Sequence, residues 1–342
     1  MNAHRSAPSR GGLSVEEAVI DGPKYTEKIF NDVDHFGEAI IPSGLQLTQL
    51  SRGSFQGCLS SWRVNSNLVI TRQWVTQSLQ VIGDKRPNHL FFVVQLKDLS
   101  KLAFAHDKPL ATNAIVGFDI QRPIHLITSP EGQDQCQILV TEVLFQRYAA
   151  LAHRYDLDDV FLRRNIVVPS ADRVSPLRNY LRQLFQAGAD CKSHTSQVGT
   201  LLEQDLMPLL IDALPPSHQA DVPRSYRRAP LVVAAKTYIM DRLDQPLTLA
   251  QICQAVCTSQ RSLQYGFQDM LGMGPMAFVK VQRLHGIRRA LLHADPRPET
   301  VAQIAHKFGF WSLGHFARDY KIMFGELPSE TLQKVPYAGT SF

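Results

Sequence analysis

The pattern of apolar and polar residues changes once along the chain, near residue 140. Between residues 40 and 145, short runs rich in β-branched and aromatic residues are separated by Gly, Pro, Asn and Ser. Such runs are typical of the strands of an antiparallel barrel or sandwich. They are Leu45–Leu50, Asn67–Thr71, His89–Val94 and Ile115–Phe118. The sequence therefore predicts a β-rich region over 40–145.

Beyond this region, apolar residues recur at the 3.6-residue spacing of amphipathic helices. The three predicted helices are Thr141–Tyr155, Ser175–Ala187 and Gln197–Ala213. Residues 214–225 follow, and they hold three prolines among polar residues, which predicts a linker. The pattern thus divides the chain into a first domain over 1–213, helical over 141–213, and a second domain over 226–335.

The predicted second domain repeats one helical unit. Thr248–Gln251 and Thr300–Gln303 share the spacing of a capping box, in which Thr caps the helix and Gln returns the hydrogen bond. Four further positions match at an offset of 53, pairing Leu263, Phe267, Gly272 and Pro275 with Phe316, Tyr320, Gly325 and Pro328. The spacing predicts helix-turn-helix units over 248–272 and 300–325, joined by a long helix over 276–293.

The two units differ at the turn between their helices. Gly309 occupies the turn of the second unit, where glycine can adopt a left-handed conformation without steric cost. Cys257 stands at the equivalent position of the first unit, where a positive φ would cost about 1 kcal/mol. Either the first turn closes differently, or the fold absorbs this cost.

Charge is distributed unevenly along the chain. The net charge is +5, and residues 224–334 hold 15 Lys plus Arg against 8 Asp plus Glu, whereas the rest holds 21 against 23. The basic surplus therefore lies wholly in the last third. Such asymmetry indicates that this part meets a polyanion. Ribosomal, tRNA-binding and DNA-binding modules would all satisfy the charge alone.

The second helix of each predicted unit has an outward face of suitable chemistry. At 100° per residue, Arg261 and Tyr265 lie opposite Leu263, and Arg318 lies opposite Phe316. Arginine can donate two hydrogen bonds to guanine, and glutamine can bond adenine in the same way. A plain solvated helix face is the alternative for each residue alone, but the repeat, the matched caps and the basic surplus favour DNA reading.

Residues 225–335 resemble the DNA-binding domain of the AraC/XylS family of bacterial transcription regulators. The resemblance is carried by Leu249–Val256, Ser259–Phe267 and Gly309–Pro328, the last of which begins GFWSLGHFARDY. This phrase also resembles the branch that includes ethanolamine-operon regulators. The resemblance implies seven helices, with two helix-turn-helix units that enter successive major grooves about 34 Å apart.

The resemblance also implies site residues on the second helix of each unit. The expected base contacts are Arg261, Gln264 and Tyr265 in the first unit, and Leu313, Gly314, His315 and Arg318 in the second. The expected phosphate contacts are Ser259, Ser312, Lys280, Arg283 and Lys321, with Arg288 and Arg289 as further candidates. The two serines would begin their helices, where unbonded N–H groups attract phosphate.

For the N-terminal domain, the resemblance implies effector sensing or dimerisation, and no specific motif adds to this. A barrel interior would hold a small molecule, and Trp62, Arg72, Trp74 or His89 are candidates to line it. The effector and the oligomeric state, including a homodimer, stay open. Cys253 and Cys257 are expected to be small packing residues rather than metal ligands.

The fold class expected from the sequence is α+β with two domains, an N-terminal antiparallel β-barrel or sandwich with following helices and an all-α C-terminal domain. The function expected is a sequence-specific, effector-responsive activator of transcription. Its partners would be double-stranded DNA and RNA polymerase, with no cofactor, metal or catalytic residue. No apolar run approaches the ~20 residues of a membrane span, and no secretory signal is visible, so a cytoplasmic location is expected.

Two other functions remain to be weighed. One is an enzyme with a cupin-like catalytic barrel and an accessory nucleic-acid-binding module, which would require a bound metal. The other is an architectural protein that binds DNA without sequence choice, which would show equal affinity for specific and random DNA at matched salt.

Overall fold

The computed structural model describes residues 23–40, 45–99, 103–106, 108–188, 196–220, 226–293 and 300–334. The N-terminal part of these residues holds two sheets with packed helices, and the C-terminal part is helical. This arrangement confirms the predicted α+β class with two kinds of domain. Within the described residues, no helix is both long and apolar enough to cross a membrane.

The described N-terminal residues contain twelve strands, all paired antiparallel. They are β1 (Lys24–Phe30), β2 (Gln46–Gln49), β3 (Gly57–Asn65), β4 (Leu68–Val75), β5 (Leu79–Gly83), β6 (His89–Gln95), β7 (Ala103–Ala105), β8 (Lys108–Leu110), β9 (Ile115–Val116), β10 (Ile124–Ile127), β11 (Gln133–Thr141) and β12 (Ile166–Val167). One sheet has the order β1-β3-β4-β11-β6-β9-β12 and the other β2-β5-β10-β7-β8. The two are not closed into one barrel, so the sandwich alternative is the correct one.

Five helices belong to the N-terminal part that the structure describes. They are α1 (Val33–Ala39), α2 (Glu142–Leu151), α3 (Asp159–Leu162), α4 (Ala171–Ala187) and α5 (Ser196–Ala213). The predicted helices therefore appear as α2, α4 and α5, with shifted ends. The predicted β-rich region starts too late, because β1 and α1 precede residue 40.

The central strands of the larger sheet are buried on both faces, so one face meets helices and the other meets the smaller sheet. Trp62, Ile70 and Ile138 face α2, α4 and α5 in one apolar core, while Phe91 and Leu139 face the smaller sheet in another. Side chains alternate along a strand.

By this alternation, three of the predicted effector-lining residues point away from the space between the sheets. Trp62, Arg72 and Trp74 share the face of Ile70, so they lie on the helix side. Arg72 forms an ion pair with Asp134 there, at 2.9 Å. The prediction is wrong for these three, because the period of a strand does not tell which face meets the second sheet.

The first half of the predicted linker is fixed to the N-terminal domain. Arg154 donates hydrogen bonds to the carbonyl oxygens of Ile211, Leu214 and Pro215, at 3.0–3.1 Å. A short 3-10 helix follows at Ser217–Gln219. Residues 221–225, the rest of that linker, lie outside the described residues, so the boundary at 214–225 stays a prediction.

The described C-terminal residues form seven helices. They are α6 (Ala229–Met240), α7 (Leu249–Ala255), α8 (Gln260–Leu271), α9 (Pro275–His293), α10 (Val301–Lys307), α11 (Leu313–Phe324) and α12 (Pro328–Leu332). Both predicted capping boxes are present: Thr248 and Thr300 each accept a hydrogen bond from a backbone N–H, and Gln251 and Gln303 accept one in return. The helix α9 joins the two units, as the repeat predicts.

The turns of the two units have the same left-handed backbone despite their different residues. Cys257 has a φ of 50°, and Gly309 has a φ of 79°. A residue with a Cβ is strained by about 1 kcal/mol in this region. Of the two alternatives left open by the sequence, the fold therefore absorbs the cost at Cys257.

The two domains are packed against each other at α6, at α9 and at the C-terminal ends of α8 and α11. The Gly53 N–H donates to the carbonyl oxygens of Ile322 and Met323, at 3.0 and 3.2 Å. His285, fully buried in α9, is hydrogen-bonded through Nε2 to the Gln49 carbonyl oxygen at 3.0 Å. Burial lowers the pKa of His285 to about 4, so its ring is neutral at pH 7.

A buried charge cluster completes the domain contact. Arg288 of α9 is 3% exposed and forms ion pairs with Asp32, Asp34 and Glu326. Lys334 also contacts Asp32 and Glu326, at 2.8 and 2.7 Å. Because the Arg288 guanidinium is buried among carboxylates, the prediction that it contacts a phosphate is wrong.

Candidate nucleic-acid interface

The first candidate reading surface lies on α8, the second helix of the first unit. Leu263, Phe267 and Met270 bury one side of α8 in the core of that unit. Arg261, Gln264 and Tyr265 are exposed on another side, as predicted. The structure thus brings all three predicted base contacts of this unit onto one exposed surface.

Local contacts organise the exposed surface of α8. The Arg261 guanidinium lies 5.6 Å from the ring centre of Tyr265, which is 47% exposed. Arg228 lies 5.8 Å from the same ring, so two cations border it. The Ser259 hydroxyl caps the helix by accepting a hydrogen bond from the Ser262 N–H at 3.2 Å.

The second candidate reading surface lies on α11, the second helix of the second unit. Phe316 and Tyr320 are buried in the core of the unit. The four predicted base contacts of this unit, Leu313, Gly314, His315 and Arg318, are all exposed. They occupy the first half of α11, near its unbonded N–H groups, where an anion is electrostatically favoured.

The predicted phosphate contacts have different surroundings. The Ser312 hydroxyl precedes α11 and makes no capping hydrogen bond to it, unlike Ser259 at the start of α8. Lys321 is exposed one turn above Arg318. Lys280 is exposed and paired with Asp319. A surface ion pair of this kind is weak, so it does not prevent Lys280 from meeting a phosphate.

Arg283 is the predicted phosphate contact that the structure favours least. Its guanidinium donates to the carbonyl oxygens of Leu243 and Gln245, which follow α6. Burial lowers its pKa. Through these contacts Arg283 holds the turn before α7 against α9. Nothing in the structure tests the predicted phosphate contact of Arg283, which stays a prediction.

Sequence reasoning did not single out Trp311 as a contact residue. Trp311 lies in the turn before α11, is 78% exposed, and stacks on His306 with ring centres 5.4 Å apart. No sequence signal distinguished Trp311, because Phe310 in the same turn packs against Phe316 of the core, so an aromatic residue there can be either packed on the core or exposed.

The N-terminal domain leaves both reading surfaces uncovered. Its contacts reach the last turns of the two helices: Pro130 lies beside Gly272, and Ser54 lies against Gly325. Each glycine ends its helix in a left-handed conformation. The first halves of α8 and α11, which carry the candidate base contacts, therefore remain exposed in the docked arrangement.

The family profile described as "Helix-turn-helix domain" matches residues 252–334. The probable thc operon regulatory protein of Rhodococcus erythropolis is 41% identical over 144 residues, which are 41% of this chain and 42% of that protein. The XylDLEGF operon transcriptional activator 3 of Pseudomonas putida is 33% identical over 97 residues, 28% of this chain and 29% of that protein.

The profile match spans most of the first helix-turn-helix unit and all of the second. The C-terminal part of the chain carries a helix-turn-helix domain of the AraC type and is similar to regulators of the AraC/XylS family. A solved structure, a probable AraC family transcriptional regulator from Rhodopseudomonas palustris, is 41% identical and covers 30% of this chain and 95% of its own, with a TM-score of 0.29. The AraC/XylS relatives named above are matched over less than half of their own length. They are named as regulators, so they do not support the enzyme alternative.

Proposed function

We propose that the chain is a sequence-specific DNA-binding regulator of transcription that reads two neighbouring stretches of major groove. Double-stranded DNA is its partner, and the α8 and α11 surfaces make the base contacts. The name of the Pseudomonas putida relative, a transcriptional activator, supports extending the proposal to activation. We further propose that activation involves contact with RNA polymerase in the cytoplasm.

The matched pair of exposed helices, α8 and α11, supports this proposal most strongly. Two helices with buried ridges are held on one long helix, and each exposes its first half with residues that can bond base edges. One such helix reads only a few base pairs, and two held rigidly read a longer site. An enzyme with an accessory module or a protein without sequence choice needs no such matched pair.

The test begins by selecting bound fragments from genomic DNA with the full chain and mapping the footprint. Arg261→Ala and Arg318→Ala should each weaken specific binding by about 1–3 kcal/mol, while binding to random DNA changes less. Arg163→Ala removes an exposed arginine of the N-terminal domain and serves as the control for lost charge. An unchanged footprint in the variant lacking both Arg261 and Arg318 would contradict the proposal.

Affinities measured at one salt concentration distinguish sequence-specific binding from architectural binding. At one salt concentration, a regulator binds its selected site far more tightly than random DNA, by roughly 10³-fold or more. An architectural protein shows one affinity for both and the same slope against salt. Equal affinities would therefore favour the architectural alternative.

A second part of the proposal concerns a small-molecule effector. The space between the two sheets is almost filled, leaving about 20 Å³. A more open cavity of about 360 Å³ lies along β1, β3 and β4, bordered by α1. Lys24, Lys28 and Arg63 bring three positive charges to its lining against one negative charge from Glu27, and Phe30 and Leu59 bring apolar surface. We therefore propose this cavity as the site of a small anionic effector.

The effector site can be tested by thermal unfolding with matched pairs of probes. Hexanoate and phenylacetate should raise the unfolding temperature more than hexanamide and phenylacetamide, since only the acids are charged at pH 7. Arg63→Ala should remove this preference, whereas Arg163→Ala should keep it. Equal shifts with acids and amides, or no shift with either, would contradict an anionic site in this cavity.

A further inference from the structure

The second reading helix contains a glycine that the fold itself does not require. A Cβ built on Gly314 would meet nothing within 4 Å. Gly266 of the first unit is different, because a Cβ there would come within 2.8 Å of Val232. The backbone of Gly314 is not in the left-handed conformation that would require a glycine. A glycine within a helix is less stable than an alanine at the same position. The absence of a side chain at Gly314 therefore leaves room for something outside the chain.

Two exposed apolar side chains lie just before that glycine in the chain. Leu313 is 41% exposed beside it, and Trp311 precedes it with its ring held on His306. At the offset that aligns the two units, Thr258, Gln260 and Arg261 replace Trp311, Leu313 and Gly314. The first unit thus presents polar groups at the start of its reading helix, where the second presents apolar ones.

We propose that the second unit recognises thymine by contact with its C5-methyl group, made by Leu313 and Trp311 over the space left by Gly314. The thymine methyl is the apolar group that base edges present in the major groove. Gly314 lies one turn before Arg318 on the same face of α11, so the space beside Gly314 faces the same groove as Arg318. This inference rests on the proposed function, since it requires specific DNA binding.

The experiment replaces each thymine of the selected site, one at a time, by deoxyuridine, which lacks only the methyl group. At one or two positions in the half of the footprint covered by the second unit, the unaltered protein should bind about fourfold more weakly. Leu313→Ala and Trp311→Ala should bind the natural site more weakly and lose most of their sensitivity to deoxyuridine at those positions.

Two further variants separate base reading from helix stability. Gly314→Ala should raise the unfolding temperature, because alanine favours a helix, yet weaken binding to the natural site at least threefold by filling the space. Ile322→Ala truncates an exposed apolar residue about 180° around the same helix from Leu313 and should keep the full deoxyuridine effect.

The outcomes distinguish this inference from the function on which it rests. If the protein selects no DNA sequence, the proposed function fails and the inference with it. If it selects a site but binds every deoxyuridine variant as tightly as the thymine site, only the inference is overturned. Retention of the full deoxyuridine effect by both Leu313→Ala and Trp311→Ala, or unchanged binding by Gly314→Ala, would overturn it as well.

Discussion

The buried cluster around Arg288 provides a quantitative test of the contact between the domains. Arg288→Met keeps the length of the side chain and removes its charge, leaving Asp32, Asp34 and Glu326 without the guanidinium. Removing one member of a buried ion pair costs about 3–5 kcal/mol. Lys334 still neutralises part of the cluster, so we take the lower end, about 3 kcal/mol.

The pKa values of Arg288 and Asp32 are shifted in the directions that favour the charged form of each group. Burial alone would lower the pKa of Arg288, but the charges of Asp32 and the other anionic groups outweigh burial and raise it. Burial alone would raise the pKa of Asp32, but Arg288 and Lys334 outweigh it and lower the value to about 2. Both groups are therefore charged at pH 7, and removing one leaves the other partly uncompensated.

The assay is amide hydrogen exchange at Gly53, whose N–H donates across the domain contact to the carbonyls of Ile322 and Met323. A loss of about 3 kcal/mol would speed this exchange by about 150-fold, if the contact opens locally. Amides of the central strand β11 should keep their exchange rates. Arg289→Met, one residue along α9 and exposed, is the matched control.

The exchange rate of the Gly53 amide in the two variants decides whether the cluster stabilises the domain contact. If Gly53 exchanges at rates within threefold of each other in Arg288→Met and Arg289→Met, the cluster does not stabilise the domain contact. Equal acceleration of β11 would instead mean that the whole N-terminal domain unfolds. That outcome would contradict the assignment of Arg288 to local docking.

Three further predictions concern charge, turn and helix contacts. The Asp32 carboxylate contributes about 2 kcal/mol of stability that is present above about pH 4 and lost as the pH falls toward 2, because its pKa is lower in the folded state. Urea unfolding between pH 2 and 5 measures this contribution. Asp32→Asn should flatten the dependence of the unfolding free energy on pH. Gly309→Ala should cost about 1 kcal/mol at its positive φ, whereas Cys257→Gly should cost less than 0.5 kcal/mol or stabilise, because relief of strain offsets added chain entropy. Arg283→Ala should lower the unfolding free energy by about 1–3 kcal/mol and leave the salt dependence of DNA binding unchanged; a slope reduced by about one would instead assign it to a phosphate.

The helical units were predictable because their signals are local. A cap, a few apolar residues at helical spacing and a terminal glycine lie within about twenty residues of one another. The helix expected over 276–293 is observed as Pro275–His293, and both capping boxes form as predicted. The outward faces followed from the same spacing, although only the structure singled out Trp311.

The N-terminal domain was less predictable, and its errors have physical causes. The strand β1 is mostly exposed and carries charged residues, so its sequence lacks a clear apolar alternation. The helix α1 is only seven residues long, too short to show a period. Trp62 and Trp74 were assigned to the wrong side because a sheet buried on both faces is apolar on both, which hides the identity of each face.

Arg288 shows the limit of local reasoning most directly. A basic residue on a helix that carries other basic residues is normally solvated, and a DNA-binding role is a reasonable interpretation of it. Its partner Asp34 is 254 positions away in the chain. No periodicity or cap encodes such a contact, so its burial could be learned only from the packed structure.

Local signals and long-range contacts also determine different properties of the two helix-turn-helix units. The candidate base contacts are set by local spacing within each repeat, and they are exposed in the docked arrangement. The spacing and tilt between α8 and α11 depend on α9 and on what packs against it. Because Pro130 and Ser54 contact the ends of both reading helices, the N-terminal domain is in contact with each unit at once. The relative placement of α8 and α11, on which the proposed reading of two grooves depends, is therefore a property of both domains together.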